Sequence, residues 1–400
     1  MKILLLSDLP PCINHTGGLF LDRLCTYLIE SGCEIVAYIV KNDEVYTVLP
    51  EDKKQSIKFK FDRKPRENVG HTKGPVASLV FDRFTNITYI PKLEKRILDF
   101  INTEKPDLIW GVIQGQTMTK IVRPIAEKSN VKYIIQFYDA ISWWFQANRV
   151  DRLTQKRVMK EYGKMLKNSY CFIGASDEMA RDYAKKYDIA RSVGIMMPFD
   201  KGNQYSEKVE RDDSDFVIAI SGQLYARSTI AAMTEALSQM KWQYRGKRIV
   251  FRIYGPEIVF YGLQNAYIEY RGWIEQEQLL YELNEADLLY CPYRFDEDFR
   301  EVASYSFPGK LSTYMKTGVP IVVHAPDYSS ISKFINKHKC GYIINTVDVE
   351  KVKTIIQEII ISKDKNKYVE RANETANVFL SEETTKRKML YSVGLRDTYD

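Results

Sequence analysis

SFPGKLSTYMKTGVPIVV (306–323) places a Pro-Gly-Lys turn, a short helical pattern and an apolar run in immediate succession. Gly318 ends the helical pattern, and Pro320 opens a run that is typical of a buried strand. A helix followed at once by such a strand predicts one repeat of a parallel α/β sheet, because parallel strands need a crossover between them. The same order of elements extends along the chain on both sides of this stretch.

Apolar runs alternate with helical patterns in both halves of the chain. GLFLDRLCTYLIESG (18–32) is one such helix, and Gly32 is its predicted end. The predicted strands of the first half are 2–8, 34–40, 107–113, 132–139 and 170–176. Those of the second half are 215–222, 248–255, 266–272, 286–292, 319–325 and 340–345. The predicted fold class is therefore α/β, with two Rossmann-like doubly wound domains that face a central cleft.

A polar and charged segment, 196–215, is the predicted linker between the two halves. The predicted domains are an N-terminal acceptor-binding domain over 1–197 and a C-terminal donor-binding domain over 198–380. Residues 381–400 follow the last predicted strand and form a helix capped by Ser381. We expect this helix to pack back on the N-terminal domain.

The composition is that of a globular protein with an uneven charge. Its six cysteines show no CxxC pair and predict buried thiols in a reducing compartment. MKILLLSD (1–8) is too short for a signal or a membrane span, and no run reaches the length of a span, so a cytoplasmic protein is predicted. Residues 51–100 carry 12 Lys and Arg against 7 Asp and Glu, with phenylalanines between them. Such a region can attract an anionic membrane, here the inner membrane face, or an anionic acceptor or nucleic acid, and a solvated loop explains it equally well.

Three predicted strand-to-helix loops suit an anion. Gly17 and Gly18 stand before the first helix, where glycines let backbone amides approach a ligand. SGQLYARST (221–229) supplies Arg227, which can contact phosphate in a bidentate manner. Ser306 to Lys310 add a glycine and a cation at the start of another helix. Together the loops predict a diphosphate-linked ligand, although a tight turn and an arginine at a helix start are the plainer interpretations of the first two.

The second half resembles a known family. IEYRGWIEQEQLLYELNEADLLYCPY (268–293), followed by 306–323, is similar to the donor domain of family-4-like glycosyltransferases, which have the GT-B fold and depend on a nucleotide-sugar. The matching positions are Gly272, Asp287, Pro292, Gly318 and Pro320. PDLIWGVI, QFYDAISWW and IGASDEMARDYA extend the resemblance into the first half. It implies sugar transfer that retains the anomeric configuration and uses neither cofactor nor metal, so the DED run at Asp296–Asp298 is interpreted as surface.

The resemblance also implies a set of donor contacts. The residues implied to bind the diphosphate are Gly17, Gly18, Arg227, Phe307, Pro308, Gly309, Lys310 and Leu311. Those implied to bind the nucleoside are Gly222, Gly255, Trp273, Ile274 and Thr313. The family often carries a Glu-x7-Glu pair, and Tyr305 and Thr313 stand at those positions here. Asp298 or Glu301 is a hypothetical substitute at the donor sugar.

Asp139 is the first candidate for the chemistry, because it ends a predicted buried strand at the cleft side. Its carboxylate could accept the proton of an acceptor hydroxyl or stabilise an oxocarbenium-like transition state. A helix cap or a structural role is the alternative. His15, beside the first glycine loop, is the second candidate. Trp143 and Trp144 could stack on a sugar ring, or they could be core residues.

Three functions follow. The first is transfer from a nucleotide-diphosphate sugar to a polysaccharide, a glycolipid or another glycan, with an anionic membrane as a further partner through residues 51–100 and no nucleic acid partner. The second is a nucleotide-sugar 2-epimerase of the same fold. The third is a catalytically silent protein that binds a sugar or a partner, prompted by the missing glutamates.

Overall fold

A computed structural model describes residues 1–42, 44–199, 215–255 and 266–399, and the chain divides into two compact units. Unit 1 comprises Met1–Met196 with Thr385–Asp400, and unit 2 comprises Met197–Thr384. Most of the predicted linker, 196–215, lies outside the described residues. Each unit is built on a parallel sheet flanked by helices, which confirms the predicted α/β class.

The sheet of unit 1 is wound in both directions from its first strand. Its described strands are β1 (Lys2–Ser7), β2 (Glu34–Lys41), β3 (Lys58–Arg63), β4 (Leu108–Val112), β5 (Lys132–Gln136), β6 (Cys171–Gly174) and β7 (Ser192–Gly194). They pair in parallel in the order β3-β2-β1-β4-β5-β6-β7. The winding reverses between β1 and β4, and a doubly wound sheet binds its ligand at the carboxyl ends of such a pair.

The sheet of unit 2 repeats this topology. Its described strands are β8 (Asp215–Ser221), β9 (Gln243–Tyr244), β10 (Lys247–Tyr254), β11 (Ile268–Gly272), β12 (Leu288–Pro292), β13 (Ile321–His324) and β14 (Tyr342–Ile344). The parallel order is β11-β10-β8-β12-β13-β14, and the short β9 pairs antiparallel with β10. The reversal falls between β8 and β12, so the loops after these strands frame the expected ligand crevice.

Helices connect the strands in both units. Unit 1 contains α1 (Thr16–Glu30), α2 (Glu51–Ser56), α3 (Val69–Lys73), α4 (Pro75–Thr88), α5 (Ile90–Glu104), α6 (Gln116–Ser129), α7 (Ile141–Ala147), α8 (Arg152–Lys167) and α9 (Asp177–Tyr187). Unit 2 contains α10 (Arg227–Gln239), α11 (Gln276–Asn284), a 3₁₀ turn (Glu297–Phe299), α12 (Arg300–Tyr305), α13 (Gly309–Tyr314), α14 (Ser330–His338), α15 (Val349–Ile361) and α16 (Lys365–Phe379). Nowhere in the described ranges is a helix both long and apolar enough to cross a membrane.

The last helix, α17 (Glu382–Val393), begins at the predicted cap, because the Ser381 hydroxyl accepts the Thr384 amide at 3.2 Å. From Thr385 onward the chain belongs to unit 1. There Lys386 forms an ion pair with Glu30 at 3.0 Å, and Lys388 forms one with Asp177 at 3.1 Å.

The apolar runs form the two cores. Ile3, Leu4, Leu5 and Leu6 of β1 are fully buried, as a strand covered on both faces requires. All six cysteines are buried with free thiols, as predicted. Each predicted strand is present, although β5 and β6 end two or three residues early. The helix predicted to run to Gly318 also ends early, at Tyr314, and Gly318 takes a φ of 75° in the turn beyond it.

The basic region around residue 60 differs from its interpretation as a loop. Residues 58–63 form the edge strand β3, in which lysines alternate with Phe59 and Phe61. The rings of these two phenylalanines stack at 5.8 Å. Lysines are common on edge strands because their charge discourages pairing with another chain. Lys64, expected on the surface, is buried.

Candidate functional site

Three glycines lie side by side at the carboxyl ends of neighbouring strands in unit 2. Gly222, Gly255 and Gly272 follow or end β8, β10 and β11, with φ values of 81°, 151° and 71°. The Gly222 amide donates to the Tyr254 carbonyl at 2.8 Å, and the Gly255 amide donates to the Gly272 carbonyl at 2.9 Å. A Cβ on Gly255 would lie 2.7 Å from the Gly222 carbonyl oxygen. These three glycines, the glycine row, therefore form a surface without side chains on the β8 side of the crevice.

Lys310 lies beside the Gly222 end of the glycine row. Its Nζ is 3.5 Å from the Gln223 carbonyl oxygen, which is the outer limit of a hydrogen bond, and 3.8 Å from the position of a Cβ on Gly222. The side chain is half-buried, and no carboxylate of the described residues forms an ion pair with it. Desolvation lowers the pKa of Lys310 below its usual value. The ammonium is thus a cation that still lacks a counter-charge.

Arg227 is the first residue of α10, on the loop after β8. Its side chain is exposed, and within the described ranges it makes neither a hydrogen bond nor an ion pair. The same loop is held by the Tyr225 ring, which lies 6.2 Å from the Tyr293 ring and 6.1 Å from the Phe299 ring. These contacts join the loop after β8 to the loop after β12, as the topology predicts.

The segment 306–311 is held in place by contacts with neighbouring residues of unit 2. The Ser306 carbonyl accepts the hydroxyls of Tyr293, at 3.3 Å, and of Ser330. Phe307, predicted at the diphosphate, packs its ring against Phe334 at 5.1 Å. The Leu311 side chain is fully buried, and its amide already donates to the Pro308 carbonyl at 3.0 Å. The Leu311 amide, predicted at the diphosphate, is thus already bonded within the chain, whereas the Gly309 and Lys310 amides precede the first intrahelical bond.

The polar residues of α13 have different surroundings. Ser312 is 1% exposed, and its hydroxyl donates to the Met197 carbonyl at 2.6 Å. Thr313 is half-buried. The predicted nucleoside contacts Trp273 and Ile274 follow β11, where the Trp273 side chain is 66% exposed. An exposed aromatic beside the glycine row is available to stack on a base.

Asp298 lies exposed in the 3₁₀ turn, and Glu301 is half-buried in α12. The flanking acids are held by local cations: Asp296 bonds to Arg294 at 2.8 Å, and Glu297 bonds to Arg300 at 3.2 Å. The bond from Arg294 lowers the pKa of Asp296. Across the described ranges, no group of three or more His, Cys, Asp or Glu side chains could hold a metal ion.

In unit 1, Asp139 lies exposed between β5 and α7 and lines a small pocket beside the carboxyl ends of β4 and β5. The pocket also contains Gly115 and both Trp143 and Trp144. The cap position of α7 is Ala140, so Asp139 stands one residue before the cap. Trp143 is 37% exposed, so its interpretation as a core residue is wrong.

The first glycine pair is part of α1 and not of a loop before it, because the helix begins at Thr16. A Cβ on Gly18 would lie 2.1 Å from Cys12 Sγ, so close packing alone demands a glycine there. Gly17 remains in the first turn, and its carbonyl accepts the Tyr138 hydroxyl at 3.3 Å. His15 Nε2 is 2.9 Å from the Tyr46 carbonyl oxygen. Because a carbonyl oxygen can only accept, Nε2 is the donor, and Nδ1 is the nitrogen that can accept a proton.

A buried ion triad, formed by Asp8, Lys64 and Glu67, lies at the carboxyl end of β1. Lys64 Nζ is 2.8 Å from Asp8 and 3.1 Å from Glu67, and it donates to the Gln114 carbonyl at 3.0 Å. Burial would lower the pKa of Lys64, but the two carboxylates raise it above its usual value. Burial raises the pKa of Asp8 in spite of Lys64.

The triad reaches the pocket of Asp139. Glu67 accepts the Thr117 amide at 2.6 Å, and Lys64 Nζ lies 4.7 Å from the centre of the Trp144 ring. Sequence reasoning missed these residues, because the Lys-x-x-Glu spacing of 64–67 was the only local signal and its partner Asp8 lies far away in the chain. The triad fixes the loop after β4 and the tryptophan beside it.

Two doubly wound α/β units on one chain match the GT-B fold. Solved structures share this fold over the whole chain. Sucrose-phosphate synthase of Thermosynechococcus elongatus is similar with a TM-score of 0.70 and 12% identity, covering 100% of both chains. HepE of Anabaena, solved in complex with UDP, has a TM-score of 0.65 and 12% identity, covering 99% of this chain and 100% of that one.

WaaG, described as a glycosyltransferase involved in lipopolysaccharide biosynthesis, has a TM-score of 0.59 and 12% identity, covering 98% of this chain and 100% of its own. The curated proteins contain no match to the sequence. Residues 230–391 match the family model of the glucosyltransferase 3-like C-terminal domain. The GT-B fold and this match over residues 230–391 together support a glycosyltransferase enzyme.

Proposed function

We propose that the protein transfers a sugar from a nucleotide-diphosphate sugar to a hydroxyl of a polysaccharide, a glycolipid or another glycan. The observation that carries this proposal is Lys310, a half-buried ammonium without a carboxylate partner beside the glycine row. A diphosphate supplies the charge that Lys310 lacks. The UDP bound to HepE, a protein of the same fold, supports a nucleotide as the ligand class.

Lys310 and Arg227 would hold the two phosphates of the donor. When the bond to the sugar breaks, negative charge develops on the diphosphate, and fixed cations stabilise that charge without a metal ion. Arg227 has its full set of donors available, since its side chain is exposed and makes no bond with a described residue. The Gly309 and Lys310 amides add donors at the same place. We therefore propose transfer that is independent of a metal.

The nucleoside would lie over the glycine row. Gly222, Gly255 and Gly272 leave room for a flat base or ribose, and Trp273 offers an exposed ring beside them. Thr313 would contribute a hydroxyl to the ribose, as a weaker partner than the glutamate of related enzymes. Asp298 and Glu301 remain the proposed contacts of the donor sugar.

Asp139 is the proposed catalytic carboxylate of unit 1. It is exposed at a pocket with the two tryptophans, so an acceptor sugar could stack on Trp143 while its hydroxyl meets the carboxylate. His15 is the second proposed group and would act through Nδ1, because Nε2 is bonded to the Tyr46 carbonyl. Retention of configuration is proposed from the family resemblance.

Titration calorimetry with UDP and other nucleoside diphosphates tests the donor site. We expect Lys310→Ala and Arg227→Ala each to weaken the Kd by at least about tenfold, since a hydrogen bond to a charged group contributes about 1.5–3 kcal/mol. Lys337→Ala is the matched control, because this lysine is exposed on α14. Unchanged affinity in both site variants would show that the diphosphate binds elsewhere.

Product analysis tests the reaction. Transfer predicts that free nucleoside diphosphate accumulates with a glycan acceptor, with at most slow donor hydrolysis without it. Release of diphosphate at equal rates with and without every acceptor, together with an epimerised sugar, would instead identify a 2-epimerase. Binding without turnover in any condition would identify a silent protein. A peripheral contact of residues 51–100 with an anionic membrane, at the inner face of a cytoplasmic enzyme, also remains a proposal.

A further inference from the structure

Helix α4 (Pro75–Thr88) turns its polar side chains inward and its apolar side chains outward. Its buried residues are Ser78, Asp82 and Thr85. Large apolar residues form the opposite face, and they are Val76, Val80, Phe84 and Ile87, exposed by 75%, 64%, 62% and 76%. An amphipathic helix of a globular protein normally has the reverse arrangement.

This orientation is fixed by a buried carboxylate. Asp82 is 2% exposed and accepts Arg157 at 2.8 Å and Asn86 at 3.0 Å. Lys120 also bonds to it, so α4 is tied to α6 and α8 through its polar face. A rotation of α4 that buried its apolar face would leave Asp82 and two cations without partners, at a high cost in free energy. The outward apolar face therefore belongs to the native fold.

The charge around this face is positive. Between residues 58 and 98 all four carboxylates are held by cations: Asp62 pairs with Arg96 at 2.6 Å, Glu67 with Lys64 and Glu94 with Lys128, while Asp82 is paired as described. Lys58 pairs with Glu104, and six other cations of the segment are exposed and make no ion pair with a described residue: Lys60, Arg66, Lys73, Arg83, Lys92 and Lys95. The free charge on this stretch of surface thus has one sign.

The positive charge and the apolar face are neighbours. Arg83 lies on the exposed face of α4, between Val80 and Phe84. The Tyr89 hydroxyl, just after α4, donates to the carbonyl of Arg63 at the end of β3. That strand adds Phe61, which is 43% exposed, and Lys60 beside it.

We infer that α4 is an interfacial helix that docks the protein on an anionic lipid bilayer, with Val80 and Phe84 entering the boundary of the acyl chains and the cations meeting the headgroups. Charge complementarity selects this occupant. A second copy that covered the face symmetrically would bring the same cations together, and a soluble polyanion would leave the apolar side chains in water. The inference goes beyond sugar transfer and needs no donor or acceptor.

Vesicle flotation tests it with the full chain. We expect binding to vesicles of phosphatidylcholine with 30% phosphatidylglycerol at low salt, and release at high salt or from phosphatidylcholine alone. Val80→Ser/Phe84→Ser should weaken the partition coefficient by at least about tenfold, because two exposed apolar side chains are lost. Arg83→Glu should weaken it as well. Val378→Ser, which changes a valine 58% exposed on α16, should bind like the parent protein.

All these residues are exposed, so each variant should melt at the temperature of the parent protein. Failure of the parent protein to bind anionic vesicles would overturn the inference, and so would binding that the double variant leaves unchanged. A dimer in light scattering that Phe84→Ser converts to a monomer would also overturn it and identify a second copy as the occupant. None of these results bears on nucleotide binding, so the proposed sugar transfer stands or falls separately, whereas the proposed membrane contact of residues 51–100 depends on them.

Discussion

Replacement of His324 by asparagine should remove a pH dependence from the stability of unit 2. His324 is fully buried at the end of β13. Its Nε2 is 2.6 Å from the Thr346 carbonyl, which can only accept, so Nε2 carries the proton and Nδ1 accepts the Tyr290 hydroxyl at 2.8 Å. Desolvation lowers the pKa of His324 to about 4, and the bond to Thr346 offsets only part of this effect.

The size of the effect follows from the two pKa values. In the unfolded chain the pKa of a histidine is about 6.5, so below that pH the unfolded state binds a proton that the native state does not. The neutral histidine therefore contributes stability that is fully present above pH 6.5 and is lost as the pH falls to 4. At about 1.4 kcal/mol per pH unit, the loss is about 3 kcal/mol.

Two measurements check this prediction. Ring-proton NMR should show one of the four histidines titrating near pH 4, and His324→Asn should remove that resonance. In urea unfolding from pH 7 to 4, the stability advantage of the parent protein over His324→Asn should shrink by about 3 kcal/mol. Subtracting the variant cancels the carboxyl groups that titrate in both, and His71→Asn serves as an exposed control. The reasoning would be refuted if the resonance that His324→Asn removes titrates above pH 6. A stability difference that stays constant from pH 7 to 4 would refute it as well.

Three further changes have defined outcomes. Gly18→Ala should destabilise unit 1 by about 1–3 kcal/mol in urea unfolding, because its Cβ would collide with Cys12, whereas Gly163→Ala meets only an ordinary contact at 3.7 Å and should not destabilise it. Lys64→Met should lower the free energy of unfolding by about 3–5 kcal/mol, since it leaves two carboxylates buried without their cation. A smaller loss than that of Gly18→Ala would contradict the burial of this ion triad. Asp139→Asn should lower kcat by about a hundredfold or more with donor affinity unchanged, and equal turnover would exclude Asp139 from the chemistry.

The fold was predictable because its strands are buried on both faces. Runs such as KILLLS and DFVIAIS are apolar at nearly every position, which is the pattern of a parallel sheet covered by helices. The edge strand β3 lacks that signal, since lysines alternate with its phenylalanines and all six of its residues are exposed or half-buried. Its pairing with β2 is a tertiary effect that a local pattern does not contain.

The candidate site was predictable where backbone geometry dictates the residue. Gly222 and Gly272 have a positive φ at or just beyond the end of a strand, where glycine is the favoured residue, and the family resemblance pointed to both. The buried ion triad was not predictable, because Lys64 stands in a basic run and becomes a core residue only when β1 and the loop after β3 meet. The outward direction of the apolar face of α4 was not predictable for the same reason, because it depends on the bonds of Asp82 to distant residues.

The uncharged side chain of Thr313 is one reason why Lys310 has no counter-charge within α13. Residues three apart on a helix lie on the same face, so a glutamate at position 313, as in related enzymes, would stand near the ammonium of Lys310. Threonine carries no charge, and α13 contains no acidic residue at all. Lys310 is therefore a cation without a carboxylate partner among the described residues, and desolvation lowers its pKa. In the proposed donor complex the diphosphate would be the counter-charge of Lys310, whereas Thr313 would bind the ribose more weakly than a glutamate would.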